Sequence, residues 1–327
     1  MTNLRKSDLV SLLLCVVLYG GFYFAIEEGL IPTLWSLHIL AVLINIILVV
    51  SLNLINGFTG QFSIGHAGFM AVGAYVSAVA TMKADVILNM PGLEVPFAVS
   101  LLVGGLAAGV LGFLVGLPTL RLNGDYLAIA TLGLGEIIRI FILNIDYIGG
   151  AAGMSGIPRE TNFTWAFWVM VLTIFVIKNF IRSTHGRACI AIRENEIAAE
   201  AMGINTTRYK VIAFAMGAFF AGIAGGLFSH LYYIVHPSSF TFMRSFDILT
   251  MVVLGGLGSM TGSVLAAILL TLLSASLASY PEARMLIYAS GLVALMIFRP
   301  QGLMGNKELS LQMLGFFKRK GGQRDAT

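Results

Sequence analysis

Residues 186–226 read GRACIAIRENEIAAEAMGINTTRYKVIAFAMGAFFAGIAGG. The stretch joins a charged, mildly amphipathic segment to an apolar, Gly/Ala-rich run long enough to cross a bilayer. On a helical wheel Ala191, Ile192, Ala198, Ala199 and Met202 share a broad apolar arc, with Arg193, Glu196 and Glu200 forming a charged stripe roughly opposite. The pattern predicts one short helix over 188–203. Gly203 suits the position just past its end, and Asn205 or Thr206 can cap the next helix, which begins near Arg208. A helix, a tight stop and a membrane-crossing helix make a lever tied to a bundle. Two uses stay open: a docking helix that presents itself to a soluble partner, or an interfacial helix lying on lipid headgroups.

The remainder of the chain supplies the bilayer setting. Of 327 residues, 57% are hydrophobic and only 11% charged, and the mean hydropathy is +0.89. Soluble domains carry about 25% charged residues, so most of this chain faces lipid or other apolar helices. A spanning helix needs roughly 20 residues, so the length accommodates about eight to ten spans plus loops. The expected fold class is all-α, a multi-pass transmembrane helical bundle with Gly-interrupted membrane segments. The net charge of +4 does not call for nucleic acid, because Lys and Arg gather in the cytoplasmic loops and tails of membrane proteins. Cys15 and Cys189 are too few for a disulfide framework and have no metal-ligand company. Arg5 and Lys6 before Leu9–Ile26 resemble a signal-peptide start, but no small-x-small site closes the run, so an uncleaved first span is expected.

Spans are expected near 9–26, 34–55, 62–82, 95–118, 126–144, 163–181 and 211–235, with a long weakly polar stretch at 246–279 and a last span near 285–298. This gives a cytoplasmic tail over 1–8, a transmembrane domain over 9–300 containing the charged segment 186–210, and a basic cytoplasmic tail over 301–327. Arg5/Lys6, Arg121, the group from Arg182 to Lys210 and the tail Lys307 to Arg324 belong inside; Glu27/Glu28 and the loop 145–162 belong outside. Seven spans leave 236–244 outside. A single crossing by 246–279 would then strand the basic tail outside, so that stretch must enter and leave on one side, or cross twice. Gly255-Gly-Leu-Gly-Ser-Met-Thr-Gly262 supplies the break, since its glycines disfavour continuous helix. Two shorter helical pieces meeting at 255–262 are expected.

A similar break lies at NLINGFTGQFSIGH, Asn53 to His66, inside a stretch without Asp, Glu, Lys or Arg from Gly29 to Met82. Paired Gly-interrupted segments point to a transport pathway; an ordinary polar turn is the alternative. The candidate pathway residues are Asn53, Gln61, Ser63, His66, Glu136, Gly255, Gly256 and Gly258. His66 could satisfy unwound backbone instead of touching substrate. Glu136 and Arg139 stand three apart and can pair. His38, Asn45 and His230 suit interhelical hydrogen bonds, and Arg244 with Asp247 suits the outer boundary, where an extracytoplasmic partner could meet them. Small residues four apart, as in Gly222–Gly226, Gly105–Gly109 and Gly112–Gly116, predict close helix packing. No GxxxxGK[ST] loop, HExxH or paired intramembrane acid is present.

Five elements in order carry a resemblance: NLINGFTGQFSIGHAGFMAVGAY (53–75), GDYLAIATLGLGEIIRIFILN (124–144), the stretch 186–226, VVLGGLGSMTG (252–262) and RPQGLMG (299–305). Together they resemble the permease subunits of branched-chain amino acid ABC importers of the LivM type. The resemblance implies that 193–207 is the coupling loop that docks on an ATPase subunit, with Arg193, Glu196, Ala198, Ala199, Glu200 and Gly203 as its coupling residues. The importer consensus is EAA followed three residues later by Gly. Here Ala198, Ala199 and Gly203 fit, but Ile197 stands where the acid is expected and Glu196 lies one residue earlier. The implied partners are a second homologous permease, two ATPase subunits that carry ATP and Mg, and a periplasmic or surface-anchored substrate-binding protein. This chain itself would bind no cofactor or metal and catalyse no reaction, in a bacterial inner membrane with both termini cytoplasmic. Urea, short amides or other amino acids are alternative substrates within the class. A self-sufficient channel or ion-coupled transporter is the rival from another class, and it leaves 186–210 without employment.

Overall fold

The computed structural model describes residues 6–83, 95–120, 122, 124–277, 290, 293 and 302–304. The expected last span near 285–298 and the tail beyond 304 lie outside the described residues. The α-helices are α1 (Lys6–Glu27), α2 (Thr33–Asn53), α3 (His66–Met82), α4 (Phe97–Thr119), α5 (Asp125–Leu143), α6 (Phe163–Arg182), α7 (Thr184–Glu194), α8 (Glu196–Ala201), α9 (Thr206–Tyr232), α10 (Phe242–Gly255) and α11 (Met260–Ser276). A π-helical turn, Leu54–Phe58, prolongs α2. A two-residue antiparallel ladder, β1 (Met154–Ser155) with β2 (Ile234–Val235), ties the loop before α6 to the end of α9.

Five helical runs, 33–58, 97–119, 125–143, 163–182 and 206–232, are long and apolar enough to cross a membrane, and α3, α11 and 16–27 of α1 are shorter apolar helices. The chain is a multi-pass helical membrane bundle. Burial sorts the helices into layers. The α2 run is 83% buried and α9 72%, against 33%, 22% and 28% for α4, α5 and α6. The first two are therefore the core, and the others turn large apolar side chains such as Leu106, Ile129 and Phe175 outward, as lipid-facing helices do.

The α3–α4–α9 seam depends on missing side chains. A Cβ on Gly73 would run into the backbone of Gly222, one on Gly222 would come within 2.5 Å of Ala108 Cβ, and one on Gly104 within 2.7 Å of the Gly73 carbonyl. The expected small-residue packing of α4 and α9 is thus present, and α3 joins it through Gly73. With no solvent driving helices together in lipid, such close backbone approach is what dispersion requires.

Of the stretch expected over 246–279, the described part lies in α10 and α11, an antiparallel hairpin broken at 256–259 as expected. Asn45 of α2 identifies the hairpin: its Nδ2 donates to Thr271 Oγ1 in α11 at 2.9 Å, and its Oδ1 accepts from Arg244 Nη2 in α10 at 2.7 Å. Both legs thus pass Asn45 at one level, while Gly255 and Gly262 abut at the tip. Arg244, expected at the outer boundary, turns its guanidinium onto α2. The expected span 62–82 is shortened to 66–82. Asn56 exchanges two hydrogen bonds with the Ser63 backbone at 3.2 Å, and the Ile64 N–H donates to Thr131 Oγ1 at 3.1 Å, so this backbone is satisfied without a helix.

Candidate functional site

The segment 184–206 differs from the single helix expected over 188–203. It is two helices with an extended break at Asn195 (φ −160°, ψ 108°), whose side chain accepts from the Ala198 N–H at 3.0 Å. An Asn that caps the following helix competes with continuation of the preceding one. Side chains also cap at Ser183 for α7 and Asn205 for α9, and Gly203 takes the left-handed position past α8, φ +83°.

The break splits the expected apolar arc between α7 and α8. Ile192 and Ala199 are buried, but Ile197 is 80% exposed and Met202 83%, with Ala198 and Ala201 exposed beside them. Arg193 and Glu196 are half-buried, while Glu194 and Glu200 stay exposed. Glu196 pairs with Lys210 Nζ at 2.5 Å, the Thr206 hydroxyl donates to Glu200 at 2.8 Å, and Arg193 Nη1 donates to the Gly57 carbonyl at 2.9 Å. Glu196 and Glu200 brace α8 to the first turns of α9, and Arg193 ties the end of α7 to the π-helical turn after α2. Lys210 and Thr206 were not expected as partners. The signal was available: a Lys near the start of a spanning helix is costly to bury without an acid nearby.

The two chain breaks meet beside this segment. Asn53 Nδ2 donates to the Ser259 carbonyl at 3.0 Å and to Ser263 Oγ at 2.9 Å, and its Oδ1 accepts from the Gly258 N–H at 2.9 Å. Gly256 (φ +110°) and Gly258 (φ +85°) turn the hairpin tip through backbone that other residues rarely adopt. The Leu303 N–H donates to the Leu254 carbonyl at 2.8 Å, bringing 302–304 onto the same tip. Of the pathway candidates, Asn53, Gly255, Gly256 and Gly258 are therefore assembled into one satisfied knot.

The others lie apart. Ser63 is held by Asn56. His66 Nε2 is 2.8 Å from Ser51 Oγ. Gln61 is buried, and neither carboxamide atom has a partner among the described residues. Glu136 accepts from Arg139 Nε at 2.7 Å and from the Phe242 N–H at 3.0 Å, so one carboxylate meets both a cation and the first amide of α10, the end of a helix that favours negative charge. It lines a small cleft with Ala67, Gly68, Thr241 and Ser245. Among the described residues no group of three His, Cys, Asp or Glu could hold a metal.

A buried pair of broken helices, a braced helical pair outside the spans and a glycine seam now set the context for comparison. The family model of the branched-chain amino acid transport system permease component matches residues 36–298. The chain belongs to that family. The permease is 39% identical over 297 residues to the high-affinity branched-chain amino acid transport system permease protein LivM of Salmonella typhimurium, covering 80% of this chain and 68% of the relative. The LivM protein of Escherichia coli matches with the same identity and coverage. The LivH permease of Escherichia coli is 31% identical over 153 residues, 46% of this permease and 49% of LivH. No solved structure matched the permease.

Proposed function

We propose that this permease is one membrane subunit of an ATP-driven, binding-protein-dependent importer of branched-chain or related amino acids. The observation that carries the reading is the outward apolar face of α8, with Ile197 and Met202 the most exposed large hydrophobic side chains of the charged segment. A helix braced by its charges and presenting apolar side chains outside the spans suits a partner that pushes on it. In this reading an ATPase subunit seats on Ile197, Ala198 and Met202, while Glu196, Glu200 and Arg193 transmit force inward. Gly203 lets α8 stop and turn into α9. A second, homologous permease completes the pathway, and ATP with Mg is bound by two ATPase subunits. A binding protein delivers substrate to the side bearing the 145–162 loop, with both termini on the α7–α8 side.

Reconstitution tests this. The permease alone in liposomes should support no leucine uptake, and uptake should require ATPase subunits and ATP. Robust leucine flux from the permease alone would establish the self-sufficient transporter instead. Ile197→Asp should abolish co-purification of the ATPase while leaving the helical circular dichroism unchanged.

A further inference from the structure

Both chain breaks converge on one side chain of the coupling segment. Arg193 ends α7, and its guanidinium is held from two directions: Nη2 and Nε reach Glu194 Oε1 at 2.5 and 3.1 Å, and Nη1 reaches the Gly57 carbonyl at 2.9 Å. Gly57 lies in the π-helical turn that ends α2, where carbonyls lack a helical partner. A Cβ on Gly258, at the tip of the α10–α11 hairpin, would lie 2.8 Å from Nη1. A Cβ on Gly60 would lie 2.8 Å from Arg193 Cγ and 3.2 Å from its Cβ. Glycines from the first break and the second thus wrap a single Arg, and Asn53 binds Gly258, Ser259 and Ser263 across the same gap.

We propose that Arg193 is a positioning residue that couples α7 and α8 to the end of α2 and the hairpin tip together, so that movement of the coupling segment reaches both breaks as one displacement. The inference rests on the proposed drive by ATPase subunits. It gives Arg193 a different place from the one its charge suggests, since the side chain faces the bundle and Ile197 and Met202 face out. The geometry explains the residue type. A planar fork holds a carboxylate and a carbonyl at once, where an ammonium is a point donor on a flexible stem. It also explains the glycines, because a side chain at 57 or 258 would fill the space the guanidinium and Asn53 occupy.

The test uses the assembled transporter in proteoliposomes, with radiolabelled leucine taken up per ATP hydrolysed as the readout. Arg193→Met should leave ATPase subunits co-purifying and lower that ratio by about tenfold or more, the scale of losing a hydrogen bond to a charged group. Arg193→Lys should recover part of it. Gly258→Ala, which keeps Arg193 but crowds Nη1 from the opposite break and strains the tip at φ +85°, should lower the ratio as well. An undiminished ratio in Arg193→Met, or loss of ATPase co-purification in that variant, overturns the inference. Should Arg193→Met fail to fold, wild-type ratios in both Arg193→Lys and Gly258→Ala overturn it. A wild-type permease that recruits no ATPase overturns the proposed function itself, a result distinguishable from the others.

Discussion

Gln61 is 3% exposed, and neither atom of its carboxamide meets a partner among the described residues. A buried polar group left unpaired costs about 1–3 kcal/mol. Gln61→Met keeps the volume and removes that cost, so thermal unfolding of the detergent-solubilised permease should show stabilisation by roughly 1–3 kcal/mol. ATP-driven leucine uptake should fall in the same variant, because an orphan kept at a chain break is expected to find its partner in another state of the cycle. Destabilisation would show that the carboxamide is already satisfied. Glu136 is the opposite case, with Arg139 on one oxygen and the Phe242 N–H on the other. Glu136→Gln should cost about 1–3 kcal/mol by removing charge from both contacts. A double-mutant cycle with Arg139→Gln measures how much of that loss belongs to the pair. The i, i+3 spacing made the pairing legible in the chain. The Phe242 contact was not, because it spans 106 residues and depends on where α10 starts.

At the level of elements, the seam between α3, α4 and α9 gives a graded test. The Cβ of a residue at Gly73 would meet Gly222 backbone, which cannot rotate away, whereas one at Gly133 of α5 meets nothing within 4 Å. Gly73→Val should destabilise by about 3 kcal/mol or more, as overpacking without relief does, and should lower the yield of folded permease on size-exclusion chromatography. Gly133→Ala should run as wild type, or slightly more stable, because Ala favours helix by about 1 kcal/mol over Gly. Small residues four apart announced that α4 and α9 pack closely. That α3 shares the seam had a signal of the same kind, since Gly73 and Ser77 stand four apart on α3 and both meet Gly104. The short helices show the reverse. Gly203 and Asn205 end and cap as expected, yet the single helix expected over 188–203 is divided in two. A wheel drawn through 188–203 assumes one axis, and Asn195 makes two.

For the whole molecule, sidedness is the property to measure. The α7–α8 pair and the 145–162 loop lie at opposite ends of α6, so a cysteine at Ile197 and one at Tyr147 should label from opposite faces. In a Cys15→Ser background, Ile197→Cys should react with an impermeant maleimide only from the cytoplasmic side, and bound ATPase should shield it. Tyr147→Cys should react only from outside. Labelling of both from one face would overturn the arrangement. Cys189 should stay silent in this assay, because it is buried and burial pushes its thiol up to about 11, which leaves little thiolate near neutral pH.

By itself the sequence determined what local chemistry dictates: an all-helical membrane bundle, the places where glycine and polar residues end helices, the caps at Gly203 and Asn205, and the pairing of Glu136 with Arg139. Those properties follow from hydropathy and from spacings of a few residues. Only the tertiary structure decided that the breaks at 53–66 and 255–262 form one knot under Arg193, that Arg244 and Thr271 share Asn45, and that α8 shows its apolar side to the outside. Each of these joins residues 100 or more apart or depends on a rotation about one extended residue, and a hydrogen bond has no signature along the chain until packing brings its donor and acceptor together.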